Sequence, residues 1–313
     1  MEYRNLGKSG LKVSVLGLGG NNFGWWLDGQ RSTVVLNHAL ELGINYIDTA
    51  DWYDKGNSEE YMGRALKGRR SEVIIATKWG QPMGDGPNDR GGSRWYIMRA
   101  VEASLKRLQT DYIDLYQMHW PDPTTPIEET LRALDGVVKS GKVRYIGCSN
   151  FDGWQLSEAM WTSCVNNLNS FITVQPRYNL FERQIERELV PCCKAHGVGV
   201  IPWGPLAGGF LTGKYPRGEK SRTPAEGEHQ AKAYTELYSG VITEANWDRL
   251  EKLKIFAKAR GRTVSELAIA WLLAHPWVPS VIAGATRPEQ LDANLTGAGW
   301  KLTPDEVKEI EGI

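Results

Sequence analysis

Short apolar runs, each about five residues long, recur along the chain and alternate with longer stretches whose apolar positions fall three or four apart. The runs lie at 15–19, 44–48, 73–77, 112–118, 143–148, 171–174, 198–202 and 278–283. Val, Ile and aromatic residues recur in them, as suits buried strands. The periodic stretches predict helices at 33–42, with Leu36, Ala39 and Leu40 inward, and at 58–66, with Ser58 as cap. Another helix, capped by Ser93, turns Ile97, Val101, Leu105 and Leu108 to one side. Further helices are predicted over 126–140, with Pro126 in the first turn, and over 154–165, 185–195, 245–259 and 264–275. One more begins at 289, and the last starts from a capping box of Thr303 and Glu306. Ahead of this alternation, 3–6 and 12–14 flank Gly7-Lys8-Ser9-Gly10 and read as a small hairpin.

Eight strands separated by helices imply a parallel sheet, and eight such units within 313 residues favour a closed barrel. The expected fold is α/β, a single-domain (β/α)8 TIM barrel over residues 1–313, with the N-terminal β-hairpin at the barrel bottom. No strand-to-helix turn carries G-x-G-x-x-G or G-x-x-x-x-G-K-[ST], which weakens an open dinucleotide-binding sheet.

Charge and composition narrow the partners. Lys+Arg and Asp+Glu balance at 37 each, without a basic run, so no nucleic-acid partner is expected. The longest unbroken apolar stretch, 267–274, falls far short of a bilayer span, and the N-terminus lacks a leader-like pattern. The expectation is a cytoplasmic protein without membrane insertion. Cys148, Cys164, Cys192 and Cys193 show no metal-ligand spacing, so reduced thiols and no metal are expected.

The polar residues that end the strands carry the chemistry. Asp48, Lys78, His119, Ser149, Asn150, Gln175, Trp203 and the segment 284–286 all fall at or just beyond strand C-termini, with Tyr53 in the loop after Asp48. A barrel brings such ends to one mouth, where barrel enzymes hold their sites. Each has an ordinary account by itself: a cap, a satisfied core histidine, a surface tyrosine. Their convergence favours chemistry. Lys78 and Asp48, buried together, would pair, since neither charge tolerates isolation. An ammonium beside Tyr53 would favour its phenolate and make it a better acid than a free phenol of pKa about 10. His119 could orient an acceptor oxygen. Such a set could protonate the oxygen of a carbonyl being reduced, and hydride would have to come from a redox cofactor. A lysine at a barrel strand end also permits a second chemistry, a Schiff-base aldolase using Lys78.

The sequence resembles the aldo-keto reductase superfamily almost end to end. The resemblance rests on Asn45-Tyr46-Ile47-Asp48-Thr49-Ala50 with Tyr53, Ile75-Ala76-Thr77-Lys78, and Asp111-Tyr112-Ile113-Asp114-Leu115-Tyr116-Gln117-Met118-His119. Gly147-Cys148-Ser149-Asn150, Pro202-Trp203-Gly204-Pro205-Leu206-Ala207-Gly208-Gly209 and Gly284-Ala285-Thr286-Arg287 continue it. The Trp203–Gly209 segment and the start of the chain look like the branch holding bacterial reductases and potassium-channel β-subunits. The resemblance implies a tetrad of Asp48, Tyr53, Lys78 and His119, with Tyr53 as general acid/base, and a nicotinamide cofactor, NADPH rather than NADH, across the mouth. It implies cofactor contacts from Gly20, Asp48, Ser149, Asn150, Gln175 and Trp203. Gly204, Pro205, Leu206, Ala207 and Gly208, with Lys214 and Arg222, would meet the pyrophosphate. Gly284, Thr286, Arg287, Gln290 and Asn294 would surround the adenosine end. Near Asn294, where many relatives carry an acid, this chain has Ala293. In that branch a regulatory cofactor-binding subunit with little turnover is an alternative to an enzyme.

Of thirteen tryptophans, Trp25, Trp26, Trp52, Trp79 and Trp120 neighbour the predicted mouth and suggest an aromatic-walled pocket for bulky or aromatic aldehydes and ketones. Trp161, Trp247 and Trp271 are expected in barrel-to-helix packing. The partners expected are a small-molecule carbonyl substrate and, as an open possibility, further copies of the chain.

Overall fold

Alternation within each strand sorts the side chains into two cores. The computed structural model describes residues 1–217 and 237–313. Its parallel strands are β3 (Leu16–Gly19), β4 (Tyr46–Asp48), β5 (Ile74–Trp79), β6 (Ile113–Met118), β7 (Val143–Ser149), β8 (Thr173–Gln175), β9 (Gly199–Val200) and β10 (Val281–Gly284). They curl into one sheet in the order β10-β3-β4-β5-β6-β7-β8-β9. Across the remaining seam, Ile282 N donates to Pro202 O at 3.1 Å, just beyond β9. Tyr46, Ala76, Leu115, Ile201 and Ile282 point inside the curl, whereas Ile47, Ile75, Tyr116, Ile146 and Val174 point out against the helices. This is a (β/α)8 barrel-like fold.

β1 (Tyr3–Asn5) and β2 (Lys12–Ser14) form an antiparallel hairpin. Its Leu6 and Val13 join the inner core, and Lys8 N donates to Gly197 O at 2.8 Å beside the start of β9. The hairpin therefore closes the end of the barrel where the strands begin. The other end is left for polar chemistry.

Most helices follow the predicted faces, and the differences have local causes. Ser93 caps Arg94–Leu108 by accepting from Tyr96 N, and Thr303 and Glu306 form their capping box on Pro304–Glu311. The first helix runs Gly29–Glu41, earlier than expected, because Asp28 caps it through Arg31 N. Ser58 is not a cap. It lies inside Asn57–Ala65, where its hydroxyl donates to Gly20 O at 2.8 Å. The predicted 185–195 helix splits into a short turn, Gln184–Glu186, and a helix, Leu189–His196. Pro191 falls in the first turn of the second piece, the position a proline tolerates; a helix begun at 185 would have placed it in the interior. Trp247 and Trp271 are buried as expected, but Trp161 is 68% exposed. Its helix, Gly153–Val165, buries Leu156, Ala159, Met160 and Ser163 instead. No helix among the described residues is long and apolar enough to cross a membrane.

One buried histidine lies in the outer layer. His275 stacks on Trp277 at 4.5 Å and meets the edge of Trp271 at 4.7 Å. Its Nε2 is buried without a hydrogen bond among the described residues. Burial pushes its pKa down to about 4, with Arg183 and Lys194 adding to the effect and Glu186 opposing it. A histidine depressed on folding contributes full stability above the unfolded value near pH 6.5 and loses it as pH falls towards 4. The shift corresponds to about 3 kcal/mol at most. The thermal midpoint should therefore fall between pH 7 and pH 5, and His275→Gln should flatten that fall. Equal slopes for the two proteins would remove His275 as a cause.

Candidate active site

The polar strand ends meet where the sequence placed them. Asp48 ends β4 and Lys78 is the last inward residue of β5, and both are buried. Lys78 Nζ donates to Asp48 Oδ1 at 2.6 Å, to Thr49 O at 2.8 Å and to Tyr53 Oη at 3.3 Å. The second Asp48 oxygen accepts from Gln175 Nε2 at 2.8 Å and, more weakly, from Gln117 Nε2 at 3.4 Å. Burial opposes the Lys78 charge, but Asp48 and the Tyr53 oxygen outweigh it and hold the ammonium above its ordinary range. A charged amine with three acceptors has no lone pair for a carbonyl carbon. That counts against the Schiff-base alternative for Lys78.

His119 follows β6 and meets the Tyr53 ring edge-on, centroids 5.7 Å apart. Burial, with the Lys78 charge, pushes its pKa well below the usual histidine range, so the imidazole is neutral. Its Nδ1 is buried without a hydrogen bond among the described residues. Asn150 ties this rim together from a left-handed backbone, φ 59°. Its Nδ2 donates to His119 O at 2.9 Å and Ser149 Oγ at 3.1 Å, and its Oδ1 accepts from Trp203 Nε1 at 3.1 Å. Ser149 Oγ in turn donates to Gln175 O at 2.6 Å.

Tyr53 is held by a tight turn. Asp54 and Lys55 are both left-handed, with φ 47° and 52°, and neither is glycine. Such backbone costs on the order of 1–3 kcal/mol per residue and persists only where surroundings fix it. Asn57 Nδ2 donates to Asp54 Oδ2 at 2.8 Å, and Gly56 supplies a third left-handed step at φ 98°.

A second polar layer behind this turn escaped the sequence reading. Glu59 is fully buried, accepting from Thr77 Oγ1 at 2.6 Å and from Arg107 Nε at 2.7 Å. Asp51 is buried beside it. Burial and the Glu59 charge hold its carboxyl well above the usual carboxylate range, which makes it a neutral acid. One signal for Glu59 was available: it precedes Met62 by three residues and so shares the apolar face of its helix.

The other expected cofactor residues that the structure describes lie at or after the C-terminal ends of β3, β9 and β10. Gly20 is packed shut: a Cβ there would meet Met62 Cε at 2.2 Å and Asp48 O at 3.1 Å. Gly204, Ala207 and Gly208 have positive φ, and a Cβ on Gly204 or Gly208 would strike Tyr238 at 2.4 or 2.5 Å. Pro205 is buried, Leu206 half-buried and Lys214 exposed. Arg222 lies outside the described residues. Beyond β10, Gln290 Oε1 accepts from Thr286 N at 2.7 Å and from its hydroxyl at 3.2 Å. Gly284 lies against Asn22, Asn294 is buried, and Arg287 is 70% exposed with Glu289 at 3.8 Å. The described residues contain no His/Cys/Asp/Glu group able to hold a metal.

The aromatic set divides. Trp25 meets the edge of Trp52 at 5.2 Å and lies 5.7 Å from the Tyr53 ring. Trp52 and Trp120 are exposed, by 41% and 48%, and Trp26 is half-buried. Trp79 does not face the mouth. Lys78 points inward, so alternation turns Trp79 outward, where it is fully buried and stacked on Tyr116 at 4.4 Å.

The barrel mouth holds an ammonium, a phenol and a neutral imidazole together, the kinds of group that could pass a proton to a carbonyl oxygen. The sequence model of the Aldo/keto reductase family matches residues 15–313. The chain belongs to that family, and so is an oxidoreductase that reduces small-molecule carbonyls with a nicotinamide cofactor. It is 39% identical to a "Probable voltage-gated potassium channel subunit beta" of Oryza sativa subsp. japonica, over all of this chain and 96% of the relative. It is 37% identical to "Aldo-keto reductase YhdN" of Bacillus subtilis (strain 168), over all of this chain and 93% of that protein. An "L-glyceraldehyde 3-phosphate reductase" of Escherichia coli O157:H7 is 39% identical over 99% of this chain and 92% of its own length.

Proposed function

We propose that the protein is an NADPH-dependent reductase of bulky or aromatic aldehydes and ketones, with Tyr53 as general acid/base. The observation that carries this reading is Lys78 Nζ at 3.3 Å from Tyr53 Oη, its charge fixed by buried Asp48. The mouth also suits the cofactor. Ser149, Asn150 and Gln175 offer hydroxyl and amide groups for a carboxamide, and Trp203 offers a ring face beside them. Left-handed Gly204, Ala207 and Gly208 leave a stretch of backbone with few side chains for the pyrophosphate, with Lys214 nearby in sequence. Bound there, a reduced nicotinamide supplies hydride.

The chain's own residues handle the proton. Tyr53 gives its phenolic proton to the carbonyl oxygen, and water later restores it. Lys78 stabilises the phenolate left behind, while Asp48 keeps Lys78 charged and still. Neutral His119 can donate to the same carbonyl oxygen without competing for the proton. Arg287, exposed and only loosely paired, is free to take a 2′-phosphate bidentately, which favours NADPH over NADH. Trp25, Trp26, Trp52 and Trp120 would wall the substrate side.

The full-length similarity to a probable potassium-channel β-subunit supports a second reading, in which cofactor occupancy regulates a partner. The buried Asp48–Lys78 pair with Tyr53 against it favours turnover.

NADPH oxidation measured across a carbonyl panel should show turnover greatest for bulky or aromatic aldehydes and ketones. Preference for small charged carbonyls would undo the pocket reading, and tight NADPH binding without turnover would favour the regulatory one. Tyr53→Phe should lower kcat by roughly 10²–10⁴-fold with NADPH affinity little changed; retained turnover would take the acid role from Tyr53. Arg287→Ala should weaken NADPH by about 10-fold or more and NADH far less. Equal weakening of both would count against the 2′-phosphate assignment.

A further inference from the structure

The segment that carries Tyr53 begins and ends on two adjacent residues of β5. At its start, Asp51 N donates to Lys78 O at 3.0 Å. At its far end, Glu59 accepts from the Thr77 hydroxyl at 2.6 Å. Thr77 and Lys78 point to opposite sides of the strand, so one grips the segment from the helix layer and the other meets its tyrosine inside the mouth. Arg107, from the helix Arg94–Leu108, completes the outer grip. Its Nε donates to the second Glu59 oxygen at 2.7 Å, and its Nη2 donates to Ser104 Oγ at 3.3 Å.

Arg107 also presses on the turn itself. A Cβ on Gly56 would stand 2.6 Å from Arg107 Cδ, so only glycine lets the turn lie on the guanidinium stem. On the other side, a Cβ on Gly24 would stand 2.4 Å from Asp54 Oδ2. These two close approaches bracket the left-handed pair Asp54 and Lys55 and restrict how the turn can shift. A buried ion pair is a poor choice for stability alone, because well-packed apolar residues commonly serve as well. A pair that clamps Glu59, the residue tying the strand of Lys78 to the far end of the segment bearing Tyr53, has a better use.

We propose that Glu59 and Arg107, joined to β5 through Thr77, are positioning residues that hold the 51–59 turn so that Tyr53 Oη stays against Lys78. The proposal rests on Tyr53 being the proton donor, and it adds residues that touch neither substrate nor cofactor.

The test compares Arg107→Met, Arg107→Lys and Glu59→Gln with Arg70→Met in the full-length protein. Arg70 pairs with Asp114 at 2.6 Å near the N-terminal ends of the strands, so its loss destabilises the barrel away from the mouth. Arg107→Met should lower kcat by about 10–100-fold, since small misplacements of a reacting group have effects of that size. NADPH Kd, read by tryptophan fluorescence, and carbonyl KM should stay within about twofold. Arg107→Lys should recover most of the lost kcat, Glu59→Gln should fall between, and Arg70→Met should lose thermal stability while keeping kcat. Tyr53→Phe combined with Arg107→Met should be no slower than Tyr53→Phe alone. If Arg107→Met does not fold, Gly56→Ala, which disturbs the same turn, should show the same selective loss of kcat. A folded Arg107→Met or Gly56→Ala protein with normal kcat, or an equal loss in Arg70→Met, overturns the proposal. If Tyr53→Phe is inactive in that case, the proton-donor reading survives. If Tyr53→Phe itself turns over normally, both readings fall.

Discussion

The buried pair of Lys78 and Asp48 sets terms for everything around it. Neither residue has appreciable contact with solvent, and an unpaired charge at that depth would cost several kcal/mol. Coulomb attraction alone rarely repays that cost, so the remaining protons and lone pairs must also be satisfied. They are met by Thr49 O on the ammonium and by Gln175 and Gln117 on the carboxylate. These partners come from β6, β8 and the end of β4, so the sheet must curl before the pair can exist. The pair then fixes where a phenol can approach the ammonium, and Tyr53 takes that place.

The same low-dielectric pocket assigns protonation states to its neighbours. His119 is kept neutral by burial and by the very ammonium that Asp48 stabilises. Asp51, behind the turn, is kept neutral by burial and by Glu59, whose charge Arg107 already pairs. Adding a negative charge at Asp51 would weaken the ammonium's hold on a developing phenolate. Two potential competitors for charge beside Lys78 are thus silenced.

Much of this was legible in the sequence because a parallel barrel translates strand order into geometry. Asp48, Lys78, His119, Ser149 and Gln175 all lie at or just past strand ends, and closure alone brings strand ends together. What alternation decides was legible in principle and missed once: with Lys78 facing in, Trp79 had to face out. The cap given to Ser58 failed for a different reason, since its hydroxyl is claimed by Gly20 O and Thr49 from other loops. No local pattern announces such a partner. The Glu59–Arg107 pair is the extreme case, because its members stand on two helices and only the packed barrel makes them neighbours. The left-handed pair at Asp54 and Lys55 was equally hidden, since neither residue is the glycine that usually signals such backbone.

That last point bears on why the turn has the sequence it has. A glycine at 54 or 55 would remove the strain and also allow the turn many other shapes. Asp54 instead uses its carboxylate to accept from Asn57 Nδ2 and packs its Cβ against Gly24, contacts a glycine could not make. The chain places glycine where space demands it, at 24 and 56, and side chains where the turn must be locked. Strain held in this way narrows the positions open to Tyr53, and the proton donor proposed there, acting across a single hydrogen bond, would gain more from a narrow distribution than from a relaxed backbone.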